Sequence, residues 1–194
     1  MAFQFNTNHR FLEGKHAILS PSGYSWLGYS KEKMFLSYQN SLKKEEGTYL
    51  HDLASRNIKT RTKVAPLKKS FYAFINDAIG FRMESEVLLY YSDTCFGTAD
   101  AIKFDEDLQL LRIHDLKTGV TKPSFKQLDI YAALFCLEYD KNPKKINFEQ
   151  RLYQGVGFEL NLPDPIEIQT VMDKIVYLDK CLTEAKEEYK GIFG

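Results

Sequence analysis

The chain has 194 residues, carries 26 Lys and Arg against 26 Asp and Glu, and is 44% apolar. That apolar content closes a core and excludes intrinsic disorder, and no apolar run reaches the roughly 18–20 residues of a membrane span. A net charge of zero excludes general attraction to polyanions, so any nucleic-acid contact must come from a local patch. The length predicts a single domain over 1–194, with 1–46 as lead-in and helix, 47–157 as core and 164–190 as C-terminal helix. Met1 to Asn6 has no basic stretch followed by an apolar one, so no secretory signal is expected. Cys95, Cys136 and Cys181 are widely separated and form no Cys-x-x-Cys, which predicts reduced thiols in cytoplasm and no zinc or iron–sulfur site.

In chain order, residues 1–30 read as an irregular lead-in. Ser30 can cap a helix with Met34, Phe35, Tyr38 and Leu42 at helical spacing. The run from Lys43 to Gly47 is expected to break it, and a second helix to start near Thr48, with Leu50, Leu53, Ala54 and Ile58 on one face. Residues 53–76 contain no acid but six bases: Arg56, Lys59, Arg61, Lys63, Lys68 and Lys69. They form either a solvated linker or a phosphate-facing patch. A short helix follows through Phe71, Phe74, Ile75 and Ala78, stopped at Gly80. Residues 86–91, 95–104 and 110–117 read as strands, the last two a hairpin with its tip at 105–107. Pro123 opens a helix to about Tyr139, apolar on nearly every side and hence buried against a sheet. Residues 146–154 alternate as a further strand. Asp164 to Glu167 is a capping box, opening a helix through Ile168, Val171, Met172, Ile175, Leu178 and Leu182. The expected fold is α/β: a mixed sheet in β-β-β-α-β order flanked by helices.

Chemistry concentrates in Gly97 to Asp100 and Leu111 to Gly119. Strand alternation sends Asp115 and Lys117 to one face and Leu116 and His114 to the other. A tip near residue 106 sets Asp100 opposite about residue 112, one or two places from Asp115. Two carboxylates then come close beside a lysine, which is unfavourable unless a cation sits between them. Mg²⁺ suits such oxygen ligands and bridges to phosphate. The acid-x-Lys spacing alone is weak evidence, since it also starts at Glu13, Glu184 and Glu188. Only Asp115 stands on a strand that follows a second strand bearing an Asp. The competing reading is a surface ion pair, which the apolar strand context makes expensive.

The Asp100…Asp115-Leu116-Lys117 arrangement resembles the PD-(D/E)XK nucleases, in particular their RecB-type branch. Gly47 to His51 resembles that branch's helical histidine motif. Gln127 to Tyr131 resembles its Gln-x-x-x-Tyr motif, and Leu19 to Ser22 its serine-containing entry motif. The small form, with 92–102 and 131–139, is similar to versions carried by bacteriophages and prophages. The resemblance implies a restriction-endonuclease-like core and Mg²⁺ or Mn²⁺ bound by Asp100, Asp115, His51 and the Leu116 carbonyl. It implies Lys117 as catalytic lysine, with Gln127 and Tyr131 holding it and the scissile phosphate. The cysteines do not match the iron–sulfur members, so no cluster is expected. The implied activity is metal-dependent DNA hydrolysis, acting at DNA ends by analogy with exonuclease relatives. DNA contacts are expected from Arg56, Lys59, Arg61 and Lys63. A recombination partner such as a single-strand annealing protein and a homo-oligomeric form belong to the same expectation. The alternative is a catalytically inactive DNA-binding or assembly module of the same fold.

Overall fold

A computed structural model describes residues 17, 19 and 21–193. Of the motif at 19–22, Ser20 and the side chain of Ser22 lie outside the described residues. The elements are α1 (Lys31–Lys59), α2 (Ser70–Gly80), β1 (Glu84–Ser92), β2 (Cys95–Asp105), β3 (Leu110–Lys117), α3 (Lys126–Glu138), β4 (Asn147–Gln154), β5 (Phe158–Asn161) and α4 (Pro165–Phe193). None of the described helices is long and apolar enough to cross a membrane.

The chain divides into two compact units, 1–46 and 47–194. In the first, a 3-10 helix over Pro21–Gly28 leads to Ser30, whose hydroxyl accepts the Lys33 N–H at 3.2 Å and caps α1. The apolar positions Phe35, Leu36, Tyr38 and Leu42 of this stretch are exposed.

The expected break at Lys43–Gly47 does not occur, because α1 is continuous from Lys31 to Lys59. Lysine and glutamate are good helix formers, and one interior glycine costs only about 1 kcal/mol. Gly47 is there for a packing reason. A Cβ at this position would lie 2.8 Å from Thr118 Oγ1, so with Thr118 as it stands glycine lets this turn of the helix close on the residue after β3.

In the second unit the five strands form one sheet in the order β1-β2-β3-β4-β5. β3 and β4 run parallel and the other neighbours antiparallel, so the sheet is mixed and α3 lies in the β3–β4 crossover. β5 is a strand that the sequence reading does not contain. The β2–β3 hairpin also corrects the expected register: Lys103, not Asp100, pairs with Arg112. The tip lies one or two residues later than expected, with Leu108 N–H bonded to the Asp105 carboxylate at 3.1 Å.

The sheet is covered on both faces. Leu89, Ala99, Ile102, Leu111, Ile113, Phe148 and Leu152 pack against α3 and against Ile168 of α4. On the other face Ala101, Leu116 and Tyr153 pack against α2 and against Ala54 and Ile58 of α1. α4 begins with Asp164 as its N-cap, the carboxylate accepting the Ile166 N–H at 2.8 Å.

Side chains in β1 and β2 do not keep to one alternation. Val87 and Ala99 belong to the α3 layer, whereas Ser85 meets Ser55 of α1 at 3.1 Å and Ala101 belongs to the α2 layer. Residues two apart in a regular strand share a face. Here they change faces across Glu86 and Asp100, the one step missing from the register between Ser85↔Ala101 and Val87↔Ala99. Glu86 has φ +54°, the left-handed region that a non-glycine residue enters only at a cost.

A polar cluster lies on the α2 face. The Tyr153 hydroxyl donates to Asp77 at 2.7 Å, and Arg151 pairs with Asp77 at 3.2 Å and with Glu149 at 2.9 Å. Arg112 pairs with Glu149 at 3.2 Å. The Phe81 ring stacks on both guanidiniums, at 4.6 and 4.8 Å. His114 is wholly buried between Phe81 and Tyr153, and its Nε2 has no hydrogen-bond partner. Burial pushes its pKa down to about 3, helped by the charges of Arg151 and Arg112.

Candidate metal centre

The inner face of α1 carries Gly47, His51, Ala54, Ser55 and Ile58, spaced three or four residues apart. The close approach at Gly47 brings the next turn, and with it His51, to the sheet. His51 Nδ1 lies 3.3 Å from Asp100 Oδ2.

Asp100 is held from a second side. Its Oδ2 accepts the Leu116 N–H at 2.8 Å. The last β2–β3 pair is Ala101↔His114, so from there on a side chain of β2 takes over the ladder bond of β3. The strands part at this point, between Asp100 on one side and Asp115 on the other. Leu116 therefore enters the site through its amide.

Asp115 and Lys117 share a face, as the alternation requires. Lys117 Nζ donates to Asp115 Oδ1 at 3.1 Å and lies 2.9 Å from Oδ2. Asp115 is only 2% exposed, and its Oδ2 has this ion-pair contact but no hydrogen bond of good geometry. Lys117 Nζ also donates to Gln127 Oε1 at 2.7 Å, and Gln127 Nε2 donates to the Tyr131 hydroxyl at 3.0 Å. The four-residue spacing on α3 makes that last bond, which turns the amide so that its oxygen faces the ammonium. The Tyr131 ring occupies the space that a side chain on Gly97 would need, 3.1 Å from the Cβ position.

The electrostatics follow from burial and like charge. Asp115 is pushed up to about 6, first by burial and then by Asp100, against the pull of Lys117 and His51. His51 is raised, first by its bond to Asp100. Glu86 is raised by its partial burial and by the Asp100 charge.

The sequence reading passed over Glu86. One ligand atom each of His51, Glu86 and Asp100 lies within 4.8 Å of the others. A turn at 93–94 alone would set Glu86 opposite Ala101; the register shift between Tyr90 and Ser92 moves it opposite Asp100, so the sequence offers no signal for it. The donors present fit a hard divalent cation, being carboxylate oxygens, an imidazole and a buried carboxylate oxygen short of a hydrogen bond. The cysteines Cys95, Cys136 and Cys181 are all free thiols.

The basic residues are less uniform. Arg56, Lys59, Arg61 and Lys63 are all exposed, at the end of α1 and just beyond it. Arg61 is engaged in structure, its Nη1 donating to the Met83 carbonyl at 2.8 Å. Lys59 is near enough for its charge to act on Glu86.

No family model matches the chain, and no curated protein or solved structure matches it either.

Proposed function

We propose that the protein is a metal-dependent deoxyribonuclease with a restriction-endonuclease-like core, acting at DNA ends. The observation that carries the reading is the convergence of His51, Asp100 and the Asp115–Lys117 pair where β2 and β3 part. Lys117 is held by two acceptors, Asp115 and Gln127, and an ammonium has three donors. The remaining donor can orient a water or neutralise a phosphate oxygen. In the hydrolysis the water oxygen bonds to phosphorus, one P–O ester bond breaks, and the departing oxygen takes a proton. Mg²⁺ or Mn²⁺ held by Asp100, Asp115 and His51, with the Leu116 carbonyl, supplies charge neutralisation of the phosphate and activation of the water. Asp115 and Gln127 fix the ammonium; Tyr131 fixes Gln127. In this reading Arg56, Lys59 and Lys63 track the DNA backbone, a phage-type recombination role follows, and a single-strand annealing protein is the natural partner.

The test is incubation of linear and circular duplex DNA with the protein and Mg²⁺ or Mn²⁺. Linear DNA should be reduced to mononucleotides, and Asp115→Asn should leave it intact. DNA binding without cleavage under either cation overturns the enzyme and leaves a binding module of the same fold. The salt dependence of that binding should flatten when Lys59 and Lys63 are changed to Glu, since fewer counterions are released.

A further inference from the structure

We propose that Glu86 is a cation ligand, completing with His51 and Asp100 a divalent-cation site that stands beside the Asp115–Lys117 pair. The inference deepens the nuclease reading and rests on the same site, but adds a residue outside the Asp100…Asp115-Leu116-Lys117 pattern.

Two independent observations carry it. The first is geometric. Glu86 and Asp100 stand opposite each other at a step that makes no ladder pair of its own, between Ser85↔Ala101 and Val87↔Ala99. Opposed residues of an antiparallel pair put their side chains on one face, so the two carboxylates are neighbours there. His51 comes to them from α1, and the three ligand atoms lie within 4.8 Å of one another.

The second is an unbalanced charge. Asp115, buried beside this trio, has only its ion-pair contact with Lys117 at Oδ2 and no hydrogen bond there; it lies close enough for the Asp100 charge to act on it and for its own to act on His51. Glu86, Asp100 and Asp115 thus face one lysine and one histidine, with Asp52 and Lys59 acting on Glu86 from α1 and offsetting each other. A divalent cation corrects that excess. Glu86 is exposed, so the site opens to solvent. That suits an ion such as Mn²⁺ or Mg²⁺, which retains waters or exchanges them for phosphate oxygens.

The experiment is Mn²⁺ titration of metal-stripped protein by calorimetry, with free Mn²⁺ counted by electron paramagnetic resonance. Glu86→Gln should weaken Mn²⁺ binding at least about tenfold. Glu86→Gly should weaken it equally while raising the melting temperature in EDTA by about 2–4 °C, since glycine accepts the positive φ. Lys117→Ala should bind Mn²⁺ like the parent. Unchanged Mn²⁺ binding in both Glu86 variants overturns the proposal, and with DNA cleavage retained it leaves the nuclease reading standing. Mn²⁺ binding that is lost in Glu86→Gln, by a parent protein that cleaves no DNA, upholds the cation site and overturns the nuclease reading.

Discussion

The two polar clusters of the second unit stand at different places on one sheet and are built to different rules. On the α2 face two arginines meet two carboxylates, aromatic rings stack on the guanidiniums, and the Tyr153 hydroxyl completes Asp77. At the strand parting, three carboxylates face one lysine and one histidine, and a buried oxygen lacks a hydrogen bond. A balanced, closed network holds elements together. An unbalanced one, open to solvent, has negative charge to spare for an added cation. Each cluster has one buried polar atom short of a hydrogen bond, His114 Nε2 in the first and Asp115 Oδ2 in the second, so it is charge balance that separates them on a chain whose total charge is zero.

The sharpest break in the comparison comes from Lys117. Lys117→Ala should lower DNA cleavage by about three orders of magnitude or more while Mn²⁺ affinity stays within a few-fold. Lys117→Arg should fail as well, because a planar fork cannot serve Asp115 and Gln127 as a point donor does. Single-turnover kinetics alongside Mn²⁺ titration checks both.

Arg151→Met should do the reverse. It leaves Asp77 and Glu149 short of a partner and should cost about 3 kcal/mol of stability. Denaturant melts should show that loss with Mn²⁺ affinity unchanged; a shift in Mn²⁺ affinity would mean that the two clusters communicate.

His114 and Asp115, neighbours on β3, should respond oppositely to pH. The folded pKa of His114 is about 3, below its ordinary 6.5, so its contribution is present above pH 6.5 and is lost as pH falls toward 3. Between pH 7 and pH 5 that loss is about 2 kcal/mol. Asp115 has its folded value raised to about 6 from 3.8, so in metal-free protein its contribution is present below pH 3.8 and is lost as pH rises through 6. The two partly cancel. His114→Asn should therefore make metal-free protein more stable, relative to its own value at pH 7, as pH falls to 5. Chemical melts at the two pH values measure it.

The smallest effect concerns Gly47. Gly47→Ala should push the His51 turn outward and weaken Mn²⁺ binding several-fold, at a cost of about 1 kcal/mol in stability. Adding Thr118→Ala should restore both, because Thr118 Oγ1 is the atom in the way. Failure of the second change to rescue would place the role of Gly47 elsewhere.

Periodic elements were legible in the sequence: the strands at 86–91, 95–104 and 110–117, the apolar helix before Tyr139, and the capped helix at Asp164. β5 was not, because four residues between Gly157 and Leu162 give too short an alternation to separate from a loop. The charged run at 43–47 looked like punctuation, yet Lys and Glu favour helix and its glycine serves packing. Of the candidate site, Asp100, Asp115, Lys117, Gln127, Tyr131 and His51 could be named, and the structure joins them in two groups, His51 with Asp100 and Asp115 through Lys117 and Gln127 to Tyr131. Glu86 could not, since it comes opposite Asp100 only through the register shift between Tyr90 and Ser92. No one-dimensional pattern encodes that.

The parallel pairing of β3 with β4 has a consequence for the order of assembly. It runs the whole length of β3, from Leu110↔Asn147 to Lys117↔Gln154, between residues such as Arg112 and Glu149 that are 37 positions apart. A hairpin can zip from its turn, but this pair closes only after α3 has crossed over and docked. Asp115 and Lys117 arrive with β3 in the β1–β2–β3 meander, whereas Gln127, the second acceptor of Lys117, joins them only when α3 docks in that late crossover.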